Sequence, residues 1–126
     1  MENLVIDYLE NTAKIYPNKI AFMDRKDKIT FSELRNKSFG VAEKLINKGF
    51  FKKPILIFLE KSVQCIISFM GVAYSGNFYS PIDTKMPKER IEKIVNTLSP
   101  VVIITDEKHK EIACEFSCGA EVMIIE

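Results

Sequence analysis

The stretch Ser62–Asp106 reads SVQCIISFMGVAYSG (62–76), NFYSPID (77–83), TKMPKERIEKIVNTLSP (84–100) and VVIITD (101–106). Its first block is apolar on nearly every side, which is typical of a buried helix, and Gly76 is the residue type that commonly ends one. The second block predicts a short extended segment. The third predicts a helix that begins near Pro87 and ends before Pro100, and the fourth predicts a strand covered on both faces.

The same alternation continues on both sides of this stretch. Residues 54–59 form a continuous apolar run of strand length ahead of it, and a helix over 107–116 and a strand over 121–125 are predicted after it. Strands that alternate with helices are typical of parallel sheets, because each crossover helix returns the chain to the same edge. The sequence therefore predicts an α/β fold: a doubly wound, largely parallel sheet with helices on both faces.

The first fifty residues contain the clearest local start signal. Thr30, followed three residues later by Glu33, has the spacing of a capping box and predicts a helix that runs to Gly49. The predicted core face of this helix consists of Leu34, Val41, Ala42, Leu45 and Ile46. Before it, we expect a first helix capped by Asn3 and closed by Pro17, then a short hairpin with strands over 20–23 and 28–30.

Composition argues against several classes of function. The 126 residues carry a formal net charge of +1, so no long-range field attracts nucleic acid or an anionic membrane. No apolar run approaches the roughly 18 residues that span a bilayer, and the N-terminus lacks the basic start of a secretory signal. Three cysteines are too few for a disulfide framework. We expect a cytoplasmic protein with neither a nucleic-acid nor a membrane partner.

The glycines do not form a phosphate-binding loop. Neither G-x-G-x-x-G nor G-x-x-x-x-G-K-[ST] occurs in the sequence. Gly71 and Gly76 lie towards the end of a predicted helix and not between a strand and a helix. We interpret Gly71 as a helix-packing position and Gly76 as a left-handed helix end.

The other candidate residues also have structural interpretations. His109 is the only histidine, and its place in a run of charges predicts a solvated helix face. Cys114 and Cys118 have no further soft ligands nearby, so they are predicted to be ordinary buried thiols, and Cys65 a core residue. Asp83 is expected to cap backbone amides of a turn, with a catalytic role as the less favoured alternative. The sequence thus predicts no catalytic, cofactor-binding or metal-binding residue.

Several motifs, taken together, resemble those of the adenylate-forming (AMP-binding) enzyme superfamily. ITFSEL (29–34) is similar to its first core motif. Tyr74-Ser75-Gly76 stands where that superfamily usually has Lys-Ala-Gly, and YSPID (79–83) is similar to the Tyr-x-Pro-[Leu or Ile]-Asp turn of its second core motif. The resemblance covers essentially the whole chain. Its strongest similarity is to peptide-synthetase adenylation domains and D-alanine–carrier-protein ligases.

This resemblance implies an enzyme that uses ATP and Mg²⁺ to convert an amino acid or other carboxylic acid into an acyl-adenylate. The acyl group would then pass to the phosphopantetheine thiol of a carrier protein. The Ser/Thr/Gly-rich phosphate loop and the later motifs of the superfamily do not occur in these 126 residues. The chain is therefore expected to be a single, truncated N-terminal subdomain, inactive alone and completed by the remaining adenylation subdomains.

Two alternatives stay open at this point. One is a self-contained, non-catalytic α/β module that serves protein interaction. The other is a flavodoxin-like domain that binds a nucleotide or flavin at the carboxyl ends of its strands.

Overall fold

A computed structural model describes residues 4–126. Its elements, in chain order, are α1 (Leu4–Ile15), β1 (Ile20–Met23), β2 (Lys28–Thr30), α2 (Phe31–Asn47), β3 (Pro54–Phe58), α3 (Val63–Tyr74), β4 (Phe78–Ile82), α4 (Lys88–Leu98), β5 (Val102–Thr105), α5 (Lys110–Glu115) and β6 (Glu121–Ile124). The predicted elements are confirmed to within one or two residues, except that the helix expected over 107–116 divides into a 3₁₀ turn (Glu107–His109) and α5. The predicted cap Asn3 lies outside the described residues.

The strands form a parallel sheet and a separate hairpin. Within residues 4–126, strands β4, β3, β5 and β6 pair in that order, and every pair is parallel. Strands β1 and β2 pair antiparallel in a small sheet of their own. The chain enters the parallel sheet at β3, steps outwards to β4 and then crosses back to β5 and β6. This reversal of direction defines a doubly wound fold, so the predicted fold class is confirmed.

The parallel sheet is covered on both faces, as its apolar strands require. In β3, Ile55 and Ile57 belong to the core beneath α1, α2 and α3. Leu56 and Phe58, which alternate with them, belong to a second core beneath α4 and α5. All four side chains are at most 1% exposed. The continuous apolar run is therefore explained, because both sets of alternating side chains are buried.

Strand β4 is suited to the edge that it occupies. The Phe78 N–H donates to the Lys53 carbonyl at 2.9 Å, so Phe78 and the residues at even steps from it turn their backbone groups towards β3. The backbone nitrogen of Pro81 therefore points away from β3. Because no strand within residues 4–126 pairs with β4 on that side, the missing N–H of proline costs no hydrogen bond of the sheet. The proline of the YSPID motif thus fits an edge strand.

Helices α2 and α3 pack closely at Gly71. A Cβ atom built on Gly71 would lie 2.5 Å from the Val41 Cβ, 2.6 Å from the Val41 Cγ1 and 3.0 Å from the Ser38 carbonyl oxygen. Only a hydrogen leaves room for this approach. The prediction that Gly71 is a helix-packing position is therefore confirmed.

The predicted helix ends are confirmed by their local geometry. Thr30 and Glu33 form both hydrogen bonds of the capping box, with the Glu33 N–H 3.1 Å from the Thr30 Oγ1 and the Thr30 N–H 3.0 Å from the Glu33 Oε1. Gly49 and Gly76 follow their helices with φ of +81° and +79°. These values lie in the left-handed region that glycine adopts without steric cost.

The predicted core face of α2 was wrong at one position. Ile46 is 55% exposed, whereas Leu45 is fully buried. The buried residues of α2 recur three or four positions apart, and Ile46 lies about 100° around the helix from Leu45, beyond the edge of that face. The sequence reasoning also missed Ser38, whose buried hydroxyl donates to the Ile67 carbonyl of α3 at 3.5 Å.

One carboxylate joins the first three helices. The Glu10 Oε1 of α1 accepts from the Arg35 Nε of α2 at 2.6 Å and from the Tyr74 hydroxyl of α3 at 2.8 Å. The Arg35 hydrogen bond lowers the pKa of Glu10, and burial together with the Glu10 hydrogen bond raises the pKa of Tyr74. Tyr74 stands at the position where adenylate-forming enzymes usually have a lysine, and its hydroxyl donates the hydrogen bond to Glu10.

The cysteines near the C-terminus are not buried thiols, contrary to prediction. Cys114 and Cys118 are both exposed, while Cys65 is buried as expected. The prediction failed because Ala113 is the buried residue of α5, which leaves the neighbouring Cys114 on the exposed side, and because Cys118 lies in the turn after the helix with φ of +48°. None of the helices within residues 4–126 is both long and apolar enough to cross a bilayer.

Candidate functional site

The main candidate site is a cleft at the carboxyl edge of the parallel sheet. The segments that follow β3 (60–62), β5 (106–108) and β6 (125–126) form one side of it. The β1–β2 turn and its flanks (22–27) form the other side, and the cleft encloses about 610 Å³. The chain reverses direction between β3 and β5, and doubly wound folds bind their ligands at the carboxyl edge beside such a reversal. The cleft therefore has the position of a binding site.

The charges of the cleft are mixed, with an excess of carboxylates. Among the described residues that line it, six are acidic and four are basic: Asp24, Asp27, Glu60, Asp106, Glu107 and Glu126 against Arg25, Lys26, Lys61 and Lys108. This balance does not favour a triphosphate, because like charges repel at short range. No three acidic, histidine or cysteine side chains in the described part of the chain are arranged to hold a metal ion. These residues do not fit the phosphates of ATP or Mg²⁺ unaided.

Asp24 occupies the position where such a fold would receive an anion. The Asp24 Oδ2 accepts from the Val63 N–H, the first residue of α3, at 2.9 Å. The Asp24 Oδ1 accepts from the N–H groups of Lys26 and Asp27, each at 2.7 Å. These backbone hydrogen bonds, with that from Asp27 the strongest influence, lower the pKa of Asp24. The Ser62 hydroxyl completes the helix end by accepting from the Cys65 N–H at 3.2 Å.

His109 does not lie on a solvated helix face, contrary to prediction. It is 7% exposed, and its Nδ1 lies 2.6 Å from the Asp106 Oδ1. Its Nε2 lies 3.6 Å from the Glu60 Oε1, and its ring meets the Phe58 ring edge-on. The prediction failed because the Asp106 carboxylate also caps the 3₁₀ turn at the His109 N–H, which folds the ring back against the end of β3. His109 thus joins the segments after β3 and β5.

The spacing of Asp106 and His109 could have revealed this contact. An aspartate three residues before the histidine is the arrangement of an N-cap, and it follows directly after a predicted strand. Two further contacts at this edge had no signal in the sequence. The Thr105 hydroxyl donates to the Phe58 carbonyl at 2.7 Å, and the Glu107 N–H donates to the Glu126 Oε1 at 3.2 Å.

Asp83 caps a turn, as the sequence predicted. Its Oδ1 accepts from the Lys85 N–H at 2.9 Å, two residues along the chain. Asp83 follows β4, the edge strand, and is not among the described residues that line the cleft. The contacts around Asp83 are those of a turn residue.

Comparison with known proteins identifies the class. A sequence model of the family described as AMP-binding enzyme matches residues 9–125. The chain therefore belongs to the AMP-binding enzyme family, and the resemblance found in its motifs is confirmed.

Individual relatives agree with this assignment. Tyrocidine synthase 1 of Brevibacillus parabrevis is 25% identical over 118 residues, which are 93% of this chain and 11% of that protein. D-alanine--D-alanyl carrier protein ligase of Staphylococcus aureus (strain MRSA252) is 31% identical over 113 residues, which are 88% of this chain and 23% of that protein. The chain thus spans a quarter or less of these two relatives.

A solved structure shows the same fold. The complex of VinN with 3-methylaspartate matches with a TM-score of 0.88 and 23% identity, over 97% of this chain and 34% of that one. The helices and the parallel sheet of this chain therefore correspond to one part of a larger protein of known structure.

Proposed function

We propose that the protein carrying this chain is an ATP-dependent ligase that activates an amino acid or other carboxylic acid. It forms an acyl-adenylate, releases pyrophosphate and transfers the acyl group to the phosphopantetheine thiol of a carrier protein. The observation that supports this proposal is the family match over residues 9–125. The name of the Staphylococcus aureus relative, a carrier protein ligase, supports the choice of acceptor.

Within that protein, we propose a structural role for these 126 residues. Their cleft is lined by more carboxylates than cations, and Asp24 already occupies the start of α3. The groups that bind the ATP phosphates and Mg²⁺ would then come from other parts of the protein. The chain would form one wall of the active site and hold the sheet on which the others pack.

Amino-acid-dependent exchange of labelled pyrophosphate into ATP tests the ligase activity. The whole protein that the gene encodes is assayed with a panel of L- and D-amino acids and short carboxylic acids, one acid at a time. A reaction without any acid is the control. We expect exchange above the control with one acid or a small group of related acids. Exchange at the control level with every acid would contradict the proposal and favour the non-catalytic interaction module.

A second assay separates activation from transfer. The purified protein is incubated with ATP, the activated acid and a phosphopantetheinylated carrier protein, and the mass of the carrier is measured. We expect the carrier to gain the mass of the acyl group. A carrier protein in its unmodified apo form is the matched control, because it lacks the accepting thiol. In a parallel reaction, coenzyme A replaces the carrier protein. Faster acylation of coenzyme A than of the carrier would contradict the proposed acceptor.

A further inference from the structure

A second concave surface lies beside the amino ends of β3 and β4, away from the cleft. It is an open groove of about 570 Å³ between the start of β4 and one side of α4, and we call it the β4 groove. None of the described residues that line it also lines the cleft. Its lining combines apolar residues with cations and a threonine: Pro54, Phe78, Ile94 and Leu98 with Lys52, Arg90, Lys93 and Thr97.

The β4 groove exists because β4 is an outer strand of the sheet. Phe78 lies on the same face of β4 as Ile82, which belongs to the core beneath α4. Within residues 4–126, no strand pairs with β4 on its outer side, so the Phe78 side chain stays 62% exposed. The residues of α4 that line the groove recur at the three- and four-residue steps of one helix face: Arg90, Lys93, Ile94, Thr97 and Leu98.

The charge of the β4 groove is positive. Lys52, Arg90 and Lys93 are exposed and line it, whereas the two glutamates of α4 do not. None of these three cations forms a salt bridge within residues 4–126, although Lys88 of the same helix pairs with Glu115 at 3.7 Å. The whole chain carries a formal net charge of only +1. The groove therefore concentrates positive charge around an apolar centre, which is complementary to a partner with carboxylates around an apolar side chain.

The open shape of the β4 groove favours a protein partner over a small molecule. A small-molecule site typically encloses about 70–90% of the surface of its ligand. Here the aromatic side chain at the centre is itself mostly exposed, so the groove cannot surround a small ligand. An exposed aromatic centre with a charged rim is instead the arrangement of a protein–protein interface, where aromatic residues and arginine supply much of the binding energy.

We propose that the β4 groove binds an acidic segment of a second protein. An apolar side chain of that segment packs on the Phe78 ring, and flanking carboxylates pair with Lys52, Arg90 and Lys93. A second protein is favoured over another part of the same protein because permanently buried interfaces are poor in charged residues, whereas exposed cations suit an interface that opens and closes. This inference rests on the β4 groove alone and stands whether or not the protein proves to be a ligase.

Selection from random peptides tests the chemistry of the partner. A phage library of random dodecapeptides is panned against the whole protein that the gene encodes, and enriched peptides are synthesised with a fluorescent label for anisotropy titrations. We expect them to contain a bulky apolar residue flanked by Asp or Glu, and to bind more weakly as salt is raised, because salt screens exposed charge pairs. Failure to enrich any peptide, or enrichment of peptides without an excess of acidic residues, would overturn the proposal.

A charge-reversed variant locates the binding site. Arg90→Glu combined with Lys93→Glu changes two exposed side chains of α4 and turns two attractions for the peptide into two repulsions. We expect the enriched peptides to bind this variant at least about tenfold more weakly. Lys37→Glu combined with Lys44→Glu is the matched control, because it makes the same change of charge at exposed positions of α2, which packs on the opposite face of the sheet. Equal weakening in both variants would show a general charge effect and refute the proposal.

A second pair of variants tests the apolar centre. Phe78→Ala should weaken peptide binding at least about fivefold, because it removes the aromatic anchor of the interface. Tyr8→Ala is its control, since Tyr8 is a 68% exposed aromatic residue of α1, on the opposite face of the sheet, and we expect it to bind peptides like the unchanged protein. Unaltered binding by Phe78→Ala would contradict the proposal. If Phe78→Ala does not fold, the charge-reversed variant still decides, because its substitutions are confined to exposed positions.

Discussion

Replacing Gly71 with alanine should destabilise the protein, although alanine normally favours a helix. The added Cβ would lie 2.5 Å from the Val41 Cβ, which is the root of a side chain and cannot rotate away. An ordinary contact between carbon atoms is about 3.5–4.0 Å. Helices α2 and α3 would therefore have to separate locally by about 1 Å, which disturbs the core between them.

The expected size of the effect follows from two opposing terms. Alanine in place of glycine within a helix stabilises by about 0.5–1 kcal/mol. Overpacking a close helix contact costs about 1–3 kcal/mol, and the nearby Ser38 carbonyl, 3.0 Å from the added atom, places this site in the upper part of that range. We expect the free energy of unfolding to fall by about 1–2 kcal/mol.

Urea unfolding, followed by circular dichroism, measures this change. With a urea dependence of about 2 kcal/mol per molar, in the middle of the usual range for small proteins, the midpoint should fall by roughly 0.5–1 M. Gly40→Ala is the matched control, because Gly40 lies in α2, is exposed, and has nothing within 4 Å of an added Cβ. That variant should be more stable by up to about 1 kcal/mol. A Gly71→Ala midpoint equal to or above that of the unchanged protein would refute the close-packing argument.

Three further predictions concern hydrogen bonds. Thr30→Ala should lower the free energy of unfolding by about 1 kcal/mol through the lost cap, while Thr30→Ser should be nearly neutral in the same urea experiment; equal losses would contradict the capping box. Tyr74→Phe should cost about 1–2 kcal/mol, because it removes the hydroxyl that donates to Glu10 and keeps the ring against Phe39; an unchanged midpoint would count against that bond. The Arg35 hydrogen bond lowers the pKa of Glu10, and backbone hydrogen bonds lower the pKa of Asp24. The two ionised carboxylates therefore stabilise the fold at pH values above the ordinary carboxyl pKa, and this stabilisation is lost as the pH falls through the lowered pKa values. Urea midpoints from about pH 6 to about pH 3 should therefore fall, and less steeply in Asp24→Asn; an identical slope would be contrary evidence.

The elements that the sequence predicted well depend on neighbours along the chain. Thr30 with Glu33, Gly49 and Gly76 are capping signals that operate within one helical turn, so a single sequence contains all of their partners. Gly71 was predicted on the same local grounds, as a glycine inside an apolar helix. The structure adds the partner, Val41, thirty residues away.

The candidate site was largely unpredictable because its contacts cross the fold. Asp24 meets Val63, thirty-nine residues later in the chain, and nothing in the turn sequence indicates that partner. His109 was misread because alternating charges on a helix are usually solvated, whereas here a cap turns one member of the run inwards. Cys118 was misread because it lies in an exposed turn after α5, and the sequence pattern does not show which side of that turn faces the core.

The chemistry of the cleft and the proposed function together predict what this part of the protein contributes. If the protein is the ATP-dependent ligase proposed above, it needs a place for the ATP phosphates, yet the start of α3 is already capped by Asp24. The carboxylates that line the rest of the cleft would repel a triphosphate rather than hold it. In the proposed ligase, such a wall would limit where a nucleotide bound elsewhere in the protein could place its phosphates. On this argument, Asp24→Ala should impair a ligase by permitting a wrong position for ATP, and ATP itself should then act as an inhibitor at high concentration. Initial rates of pyrophosphate exchange against ATP concentration test this, and a simple saturation curve for Asp24→Ala would contradict it.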